Sequence, residues 1–412
     1  MERLVDVYLA IDGVVRVGRL WARARSGRER ASFEYDDAWL ARPDAFSLDP
    51  ELVLGAGQFH TDRPLFNAFT DPAPDRWGQT LLRRHERARA RAEGRAARTL
   101  LAIDMLVLVD DEARLGALRF RDPAGGEFLA TGRRRVPPLV ELPRLLRATS
   151  RVLDEEETDD DLALLLAPGT SLGGARPKAS VRDPGGRLAI AKFPSPQDEW
   201  PITRWEAATL AMAESAGIEV PRRQLATVLK KPVLIIERFD RRGSERIPYM
   251  SALTAMAARD GDTRSYLELA EVLQGSGAAP ARDLDQLWRR VVFNVLVSNV
   301  DDHLRNHGFL HEPGGWRLAP AFDLNPVPTD VRPRVHALAI DEDDPGAPLA
   351  RVLAIAPQFN VKAARVREIV REVAAVTRRW RRFASDCGLT QRQLDRMATA
   401  FEHDDADVAR AL

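Results

Sequence analysis

Apolar and polar positions alternate over the first 35 residues, and farther along the chain the spacing lengthens to that of helices. Val5, Val7 and Leu9 form one alternating run, Asp12-Gly13 is a hairpin turn signal, and Val15, Val17 and Leu20 resume the alternation. Arg25-Ser26-Gly27 is a second turn, leading into Ala31-Ser32-Phe33-Glu34-Tyr35. From Pro74 to Arg98 the pattern is helical and rich in arginine. Alternation returns weakly around Leu115 to Phe120, before Pro123-Ala124-Gly125-Gly126 breaks the chain. These signals predict a β-rich first domain over residues 1–135.

A second region, 136–250, mixes the two periods. A helical segment within Pro137 to Asp161 ends in an acidic run, read as a helix end or solvated face. After it come a Gly-rich turn, a strand at Leu188 to Phe193, a helix at Thr203 to Ala216, and strands near Leu225 to Val228 and Val233 to Arg238. Beyond residue 250 the strand signals fade. Helical periodicity dominates Tyr266 to Leu273, Leu284 to Val297 and Val361 to Phe401, so residues 251–412 are expected to be all-α. The fold class expected is therefore α+β. No internal repeat or long low-complexity linker interrupts the chain.

Composition narrows the function classes. Hydrophobic residues make up 45% and charged residues 30% of 412, the balance of an ordinary globular protein. Lys plus Arg equals Asp plus Glu at 61 each, so no global charge pulls the chain toward nucleic acid or anionic membrane. Lysines occur at 178, 192, 230, 231 and 362 alone, which narrows the search for a phosphate-contacting lysine. The single cysteine, Cys387, excludes an intrachain disulfide and a multi-cysteine metal site; it reads as a small, inert side chain. The start, MERLVDVYLAIDG, does not read as a signal peptide, and Leu100 to Val109 is too short to span a bilayer. A cytoplasmic location without membrane contact is expected.

Four segments carry the parts that phosphoryl transfer needs: a backbone cradle for phosphates, a lysine, hard metal ligands and a carboxylate near the attacking hydroxyl. Gly169-Thr170-Ser171-Leu172-Gly173-Gly174-Ala175-Arg176-Pro177-Lys178 has three glycines in six residues, which let backbone amides approach phosphate oxygens. It is not a Walker A loop, because no Gly-Lys-Ser/Thr follows at the required spacing. Lys192 ends the apolar strand Leu188-Ala189-Ile190-Ala191, with Glu206 or Glu199 as its ion-pair candidate. In Ser298-Asn299-Val300-Asp301-Asp302-His303-Leu304-Arg305-Asn306, Asp301 and Asn306 are five apart, the spacing of base and metal ligand in a kinase catalytic loop. Asp302 competes for the base role at a spacing of four, and His303 is expected to be a packed, hydrogen-bonded scaffold residue. Asp323 follows Asn306 by 17 residues and is the candidate second magnesium ligand. Val233 to Arg241 reads as a strand and hinge, with Glu237 and Phe239 beside an adenine.

These motifs resemble the HipA-type serine/threonine kinase toxins of bacterial toxin–antitoxin systems. The resemblance spans nearly the whole chain: Val7-Tyr8-Leu9, Val17-Gly18-Arg19-Leu20, Asp75-Arg76-Trp77-Gly78, the GTSLGGARPK loop, Glu237 to Arg241, Asp301 to Asn306, and Asp323. It implies a two-lobed protein-kinase-like fold with an extra N-terminal β-rich subdomain and an all-α C-terminal lobe. It implies ATP and Mg2+ as cofactors, Asp301 as the catalytic aspartate, and Asn306 and Asp323 as metal ligands. Lys192 would contact ATP, together with Ser171, Gly173, Gly174, Lys178, Glu237 and Phe239. Ser171 would be the autophosphorylated serine, with Thr170 the adjacent alternative; the added charge would repel nucleotide phosphates.

Two departures stand out. The loop ends Ala-Arg-Pro-Lys where the best-known member type has Gln-Glu-Lys, and Ile247-Pro248-Tyr249-Met250-Ser251 lacks a Gln-Glu-Asp run. The implied partners are a small helix-turn-helix antitoxin (HipB-like), operator DNA through that antitoxin, and a protein substrate of the aminoacyl-tRNA synthetase class. The arginines from Arg83 to Arg98 read as a solvated helix face, with DNA phosphate contact in such a complex as the alternative. The competing functions are a small-molecule or lipid kinase, or a co-repressor that acts by binding antitoxin and DNA.

Overall fold

The structure is a computed structural model that describes residues 2–131, 136–169, 174–341 and 348–412. It divides into two compact units, Met1–Gln197 with Ala226–Met250, and Asp198–Leu225 with Ser251–Leu412.

The first unit opens with strands β1 (Glu2–Leu9), β2 (Val15–Arg25), β3 (Arg28–Tyr35), β4 (Gln58–Thr61) and β5 (Leu118–Arg121), in sheet order β4-β3-β2-β1-β5. Arg25 pairs with Arg28, so Ser26-Gly27 is a two-residue hairpin loop. Both residues have positive φ, 51° and 77°, the geometry whose twist matches the flanking strands. Alternation puts Val5, Val7, Leu9, Val17, Leu20 and Phe33 into one core, which Trp39, Phe66, Phe69 and Leu106 cover.

A second sheet in this unit has the order β6-β7-β9-β8, from β6 (Lys178–Arg182), β7 (Leu188–Lys192), β8 (Arg223–Val228) and β9 (Lys231–Glu237). Helices Leu142–Leu153 and Asp159–Gly169 pack on it through Leu145, Leu146, Leu162 and Leu165. The helix Arg76–Ala92 adds Trp77 and Leu81 to the same core. The acidic run, expected to end a helix, instead begins one: Asp159, Asp160 and Asp161 fill the first turn of Asp159–Gly169. Carboxylates there meet the positive end of the helix dipole, and Asp161 also pairs with Arg151.

The second unit is mainly helical. Trp205, on the helix Ile202–Ser215, lies against Phe401 at 6.1 Å between centroids, and Trp380 stacks on Phe401 at 4.6 Å and 9°. The periodic stretch from Val361 to Phe401 is broken into Ala363–Thr377, Trp380–Asp386 and Gln391–Met397. Gly388, at φ 77°, makes the left-handed break before the last of these. The region expected to be all-α also carries a hairpin, Gly308–Glu312 with Gly315–Leu318, beside the catalytic-loop candidate. Among the described residues no helix is long and apolar enough to cross a membrane.

Candidate functional site

The candidate residues fall into two sets, one in each unit. In the second unit the buried helix Pro280–Leu296 stops, and Ser298 takes a left-handed φ of 50° that turns the chain into the loop ending at Asn306. The loop is tied to the segment after Asp323: Val327 N–H donates to Ser298 O at 3.1 Å and Ala337 N–H to Val300 O at 2.9 Å.

Adjacent aspartates in this loop have opposite environments. The Asp301 side chain is 64% exposed and meets the half-exposed Arg332 at 3.0 Å. Such a carboxylate is reachable by an incoming hydroxyl. Asp302 is 2% exposed, and its Oδ2 accepts from the Tyr266 hydroxyl, Asn294 Nδ2 at 2.9 Å and His307 Nε2 at 2.7 Å. Burial alone would push the Asp302 carboxyl up; the neighbouring His307 and the Tyr266 hydroxyl outweigh it and hold the group below the usual carboxylate range. The same neighbourhood drives the Tyr266 hydroxyl far up, through burial and then the Asp302 charge, so it stays a donor.

One metal-ligand candidate, Asp323, is joined to the buried Asp302 by a ladder of amides. Asn294, which donates to Asp302, accepts from Asn299 Nδ2 at 3.1 Å; Asn299 Oδ1 accepts from Asn325 N–H at 3.1 Å; and Asn325 Nδ2 donates to Asp323 Oδ1 at 3.4 Å. Asp323 is held at φ 58°, a left-handed backbone seldom adopted by residues other than Gly, Asn and Asp. Asn306 donates Nδ2–H to the Asp301 carbonyl at 3.2 Å, which fixes the amide and turns Oδ1 to the other side. Among the described residues no three His, Cys, Asp or Glu groups are placed to cage a metal. A carboxylate and an amide oxygen fit a hard cation such as Mg2+, whose remaining positions are ordinarily filled by substrate phosphates and water.

In the first unit, Lys178 and Lys192 pair directly across β6 and β7, so both side chains leave the same face of the sheet. Like charges so placed repel, and a carboxylate offsets one of them: Lys178 Nζ meets Asp75 Oδ2 at 2.6 Å, with both side chains under one-tenth exposed. Burial pushes the Asp75 carboxyl up, against the pull of the Lys178 charge. Gly174 has φ 104°, and a Cβ there would stand 3.1 Å from Lys178 Nζ, so the last glycine of the loop lies against this ammonium.

After β9 the exposure alternates. Glu237 and Phe239 are half-buried, whereas Arg238 and Asp240 are buried. Arg238 binds Asp240 at 2.6 Å and the Ala113 carbonyl at 2.8 Å; Asp240 accepts from Gly116 N–H at 2.7 Å; and Arg241 donates to the Arg114 carbonyl at 2.6 Å. Burial would raise the Asp240 carboxyl, but the Arg238 and Arg241 charges hold it well below the usual range. The opposite side keeps the Phe239 ring near Tyr249, centroids 6.3 Å apart.

The family model described as "HipA-like C-terminal domain" matches residues 170–380, and that described as "HipA N-terminal domain" matches residues 6–104. The chain belongs to the HipA family. The solved complex of HipA, HipB and operator DNA from the Shewanella oneidensis MR-1 toxin–antitoxin system contains a chain similar to it, at TM-score 0.63 and 16% identity. That match covers 99% of this chain and 96% of the other, which establishes a shared fold with a β-rich N-terminal region. Two curated proteins are similar over 42% of the chain: one of Sinorhizobium fredii named "Putative kinase Y4mE", 28% identical, and one of Haemophilus influenzae named "Putative kinase", 26% identical. The chain spans about half the length of these curated relatives, 46% and 58%.

Some sequence expectations for this HipA-family chain fall elsewhere. Thr170, Ser171 and Gly173 lie outside the described residues. His303 is exposed, contrary to its expected scaffold role, and His307 is the packed, hydrogen-bonded histidine instead. The arginine run is largely ion-paired, with Arg84 on Glu157, Arg89 on Glu93 and Arg95 on Glu86, which leaves less charge for phosphate than its count suggests. Sequence reasoning also missed Asp75 as the partner of Lys178, and the buried set Tyr266, Asn294, Asn299 and Asn325. For Asp75 the only signal was its place in the Asp-Arg-Trp-Gly motif. Cys387 is half-buried and burial pushes its thiol up, consistent with an inert side chain.

Proposed function

We propose that this HipA-family chain is an ATP-dependent serine/threonine protein kinase acting as the toxin of a toxin–antitoxin module in the cytoplasm. The observation that carries the reading is the contrast within one loop: an exposed Asp301 rests on a buried, triply bonded Asp302, and an amide ladder ties that loop to Asp323. Asp301 orients and accepts the proton of a substrate hydroxyl. Asn306 and Asp323 hold Mg2+, which when bound neutralises charge on the transferring phosphate. Lys192 and Lys178 offer cations to the nucleotide phosphates, the loop amides at Ser171, Gly173 and Gly174 cradle them, and Glu237 and Phe239 flank the adenine. The regions 1–135, 136–250 and 251–412 correspond to the N-terminal subdomain, the nucleotide lobe and the helical catalytic lobe.

Phosphorylation of Ser171 switches the enzyme off, because a group of about −1.5 to −2 charge in the loop repels nucleotide phosphates. The partners are a HipB-like helix-turn-helix antitoxin, operator DNA through it, and a protein substrate of the aminoacyl-tRNA synthetase class. Incubation with γ-labelled ATP and Mg2+, followed by mass spectrometry, tests the reading. Wild type acquires phosphate on Ser171, Asp301→Asn does not, and Ser171→Ala retains nucleotide binding without label. If Asp301→Asn labels itself at the wild-type rate, the catalytic assignment is wrong. If wild type binds and turns over ATP with no protein labelled, a small-molecule kinase is the better reading.

A further inference from the structure

The N-terminal motif Asp75-Arg76-Trp77-Gly78 has no part in the phosphoryl-transfer chemistry above, yet two of its residues close on one lysine. Asp75 Oδ1 accepts from Gly78 N–H at 2.7 Å and so caps the helix Arg76–Ala92. Its other oxygen takes the Lys178 ammonium at 2.6 Å. Trp77 Nε1–H donates to the Lys178 carbonyl at 3.0 Å, so backbone and side chain of residue 178 are both gripped from the first turn of one helix. Trp77 is itself anchored in the core beneath the second sheet.

Lys178 is the residue that leaves the Gly-rich loop and enters β6, and Gly174 lies against its ammonium. A buried ammonium with four rotatable bonds takes one position only where a partner fixes it. Directly opposite, Lys192 carries the second positive charge on this face. Loss of the carboxylate at 75 removes the charge that meets Lys178 at 2.6 Å, so the ammonium loses that positioning contact while the Lys192 charge opposite it stays. We infer that Asp75 is a positioning residue of the nucleotide site: it holds the Lys178 ammonium in place beside Gly174, so the N-terminal region sets how tightly nucleotide phosphates bind. The inference rests on the kinase reading and extends it to a region outside the phosphoryl-transfer residues.

Asp75→Asn is the informative change, because asparagine still caps a helix while presenting an N–H to the ammonium. Isothermal titration with Mg-ADP and ATP kinetics on wild type, Asp75→Asn, Lys178→Met and the double variant form the test. The expected result is a Kd for Mg-ADP and a KM for ATP raised at least about tenfold in Asp75→Asn, with kcat changed less, since misplaced contacts to phosphate cost binding. In the Lys178→Met background the same change has no further effect. Thermal midpoints near wild type accompany these values; if Asp75→Asn fails to fold, Asp75→Ser keeps a capping oxygen that is too short for the lysine and gives the same result. Wild-type affinity in Asp75→Asn, additive effects in the double variant, or unfolding of both Asp75 variants would overturn the positioning role and leave the kinase reading standing. Absence of Mg-ADP binding by wild type removes both.

Discussion

The adjacent aspartates 301 and 302 give opposite expectations for the same substitution. Asp302→Asn replaces an acceptor that takes three buried donors, Tyr266 Oη, Asn294 Nδ2 and His307 Nε2. Hydrogen bonds to a charged acceptor contribute about 1.5–3 kcal/mol and neutral ones about 0.5–1.5, so the loss is about 1 kcal/mol for each donor and about 3 kcal/mol in all. Asp301→Asn removes one contact between a 64% exposed carboxylate and a 47% exposed guanidinium. Exposed pairs of that kind contribute about 0–1 kcal/mol. Activity runs the other way, because a positioned carboxylate in proton transfer accounts for about 10²–10⁴-fold in rate. Urea unfolding followed by circular dichroism, beside labelled-ATP turnover, measures both. Asp301→Asn is expected to unfold with the wild-type midpoint and to lose turnover; Asp302→Asn is expected to lose about 3 kcal/mol and to lose activity through the loosened loop. The reasoning fails if Asp302→Asn costs under about 1 kcal/mol, or if the two variants are equally destabilised.

Acid should weaken the fold well above the carboxylate range. Burial lowers His336 from 6.5 to about 4, against the pull of Asp302 and with Arg334 and Arg332 adding to the fall; His403 shifts the same way. The folded protein therefore keeps His336 neutral while the unfolded chain binds a proton below pH 6.5, so stability falls as pH drops from 6.5 toward 4. At about 1.36 kcal/mol for each pH unit, His336 alone costs about 2 kcal/mol by pH 5; a His336 resonance that titrates near its ordinary value in the native protein would refute this. Trp380→Ala, which removes a fully buried ring stacked on Phe401, should cost about 3–5 kcal/mol in urea unfolding, and a loss under about 1 kcal/mol would mean the stack is not the core contact described.

The β-rich start was legible because its signals are local. Period-two alternation and the Asp12-Gly13 and Ser26-Gly27 turns need no tertiary partner, and positive φ at all four positions follows from the same chemistry. The candidate loop was picked out by spacing alone, since Asp301, Asn306 and Asp323 sit on short connected pieces. What tells Asp301 from Asp302 was not legible: both are aspartates in the same turn, and only the burial of Asp302 beneath Tyr266 and His307 separates their environments. The role expected of His303 belongs to His307 for the same reason, because a 3-10 turn at Leu304–Asn306 rotates the later histidine inward. Helical periodicity ran through Val361 to Phe401 without showing its breaks, which are set by Gly388 and by packing around Trp380. Asp75 and Lys178 are 103 residues apart, and no pattern along a chain announces a pair at that distance.

That long-range pair and the region after β9 lead to one conclusion about the first unit. The N-terminal region touches the candidate nucleotide elements twice, through Asp75 and Trp77 on Lys178, and through residues 113–116 on Arg238, Asp240 and Arg241. The first contact lies on the sheet face that Lys178 shares with the half-buried Lys192, and the second lies on the buried side of its segment and leaves Glu237 and Phe239 half-buried. Arg114, wholly buried and donating to the carbonyls of Leu106 and Val109, stiffens the segment that binds Arg238 and Asp240. An appended domain that served only to recruit partners would have no reason to supply buried charges at these two points. Lys178 and the segment after β9 are instead held partly by N-terminal residues, so removing residues 6–104 would take from the buried Lys178 ammonium the carboxylate that meets it at 2.6 Å.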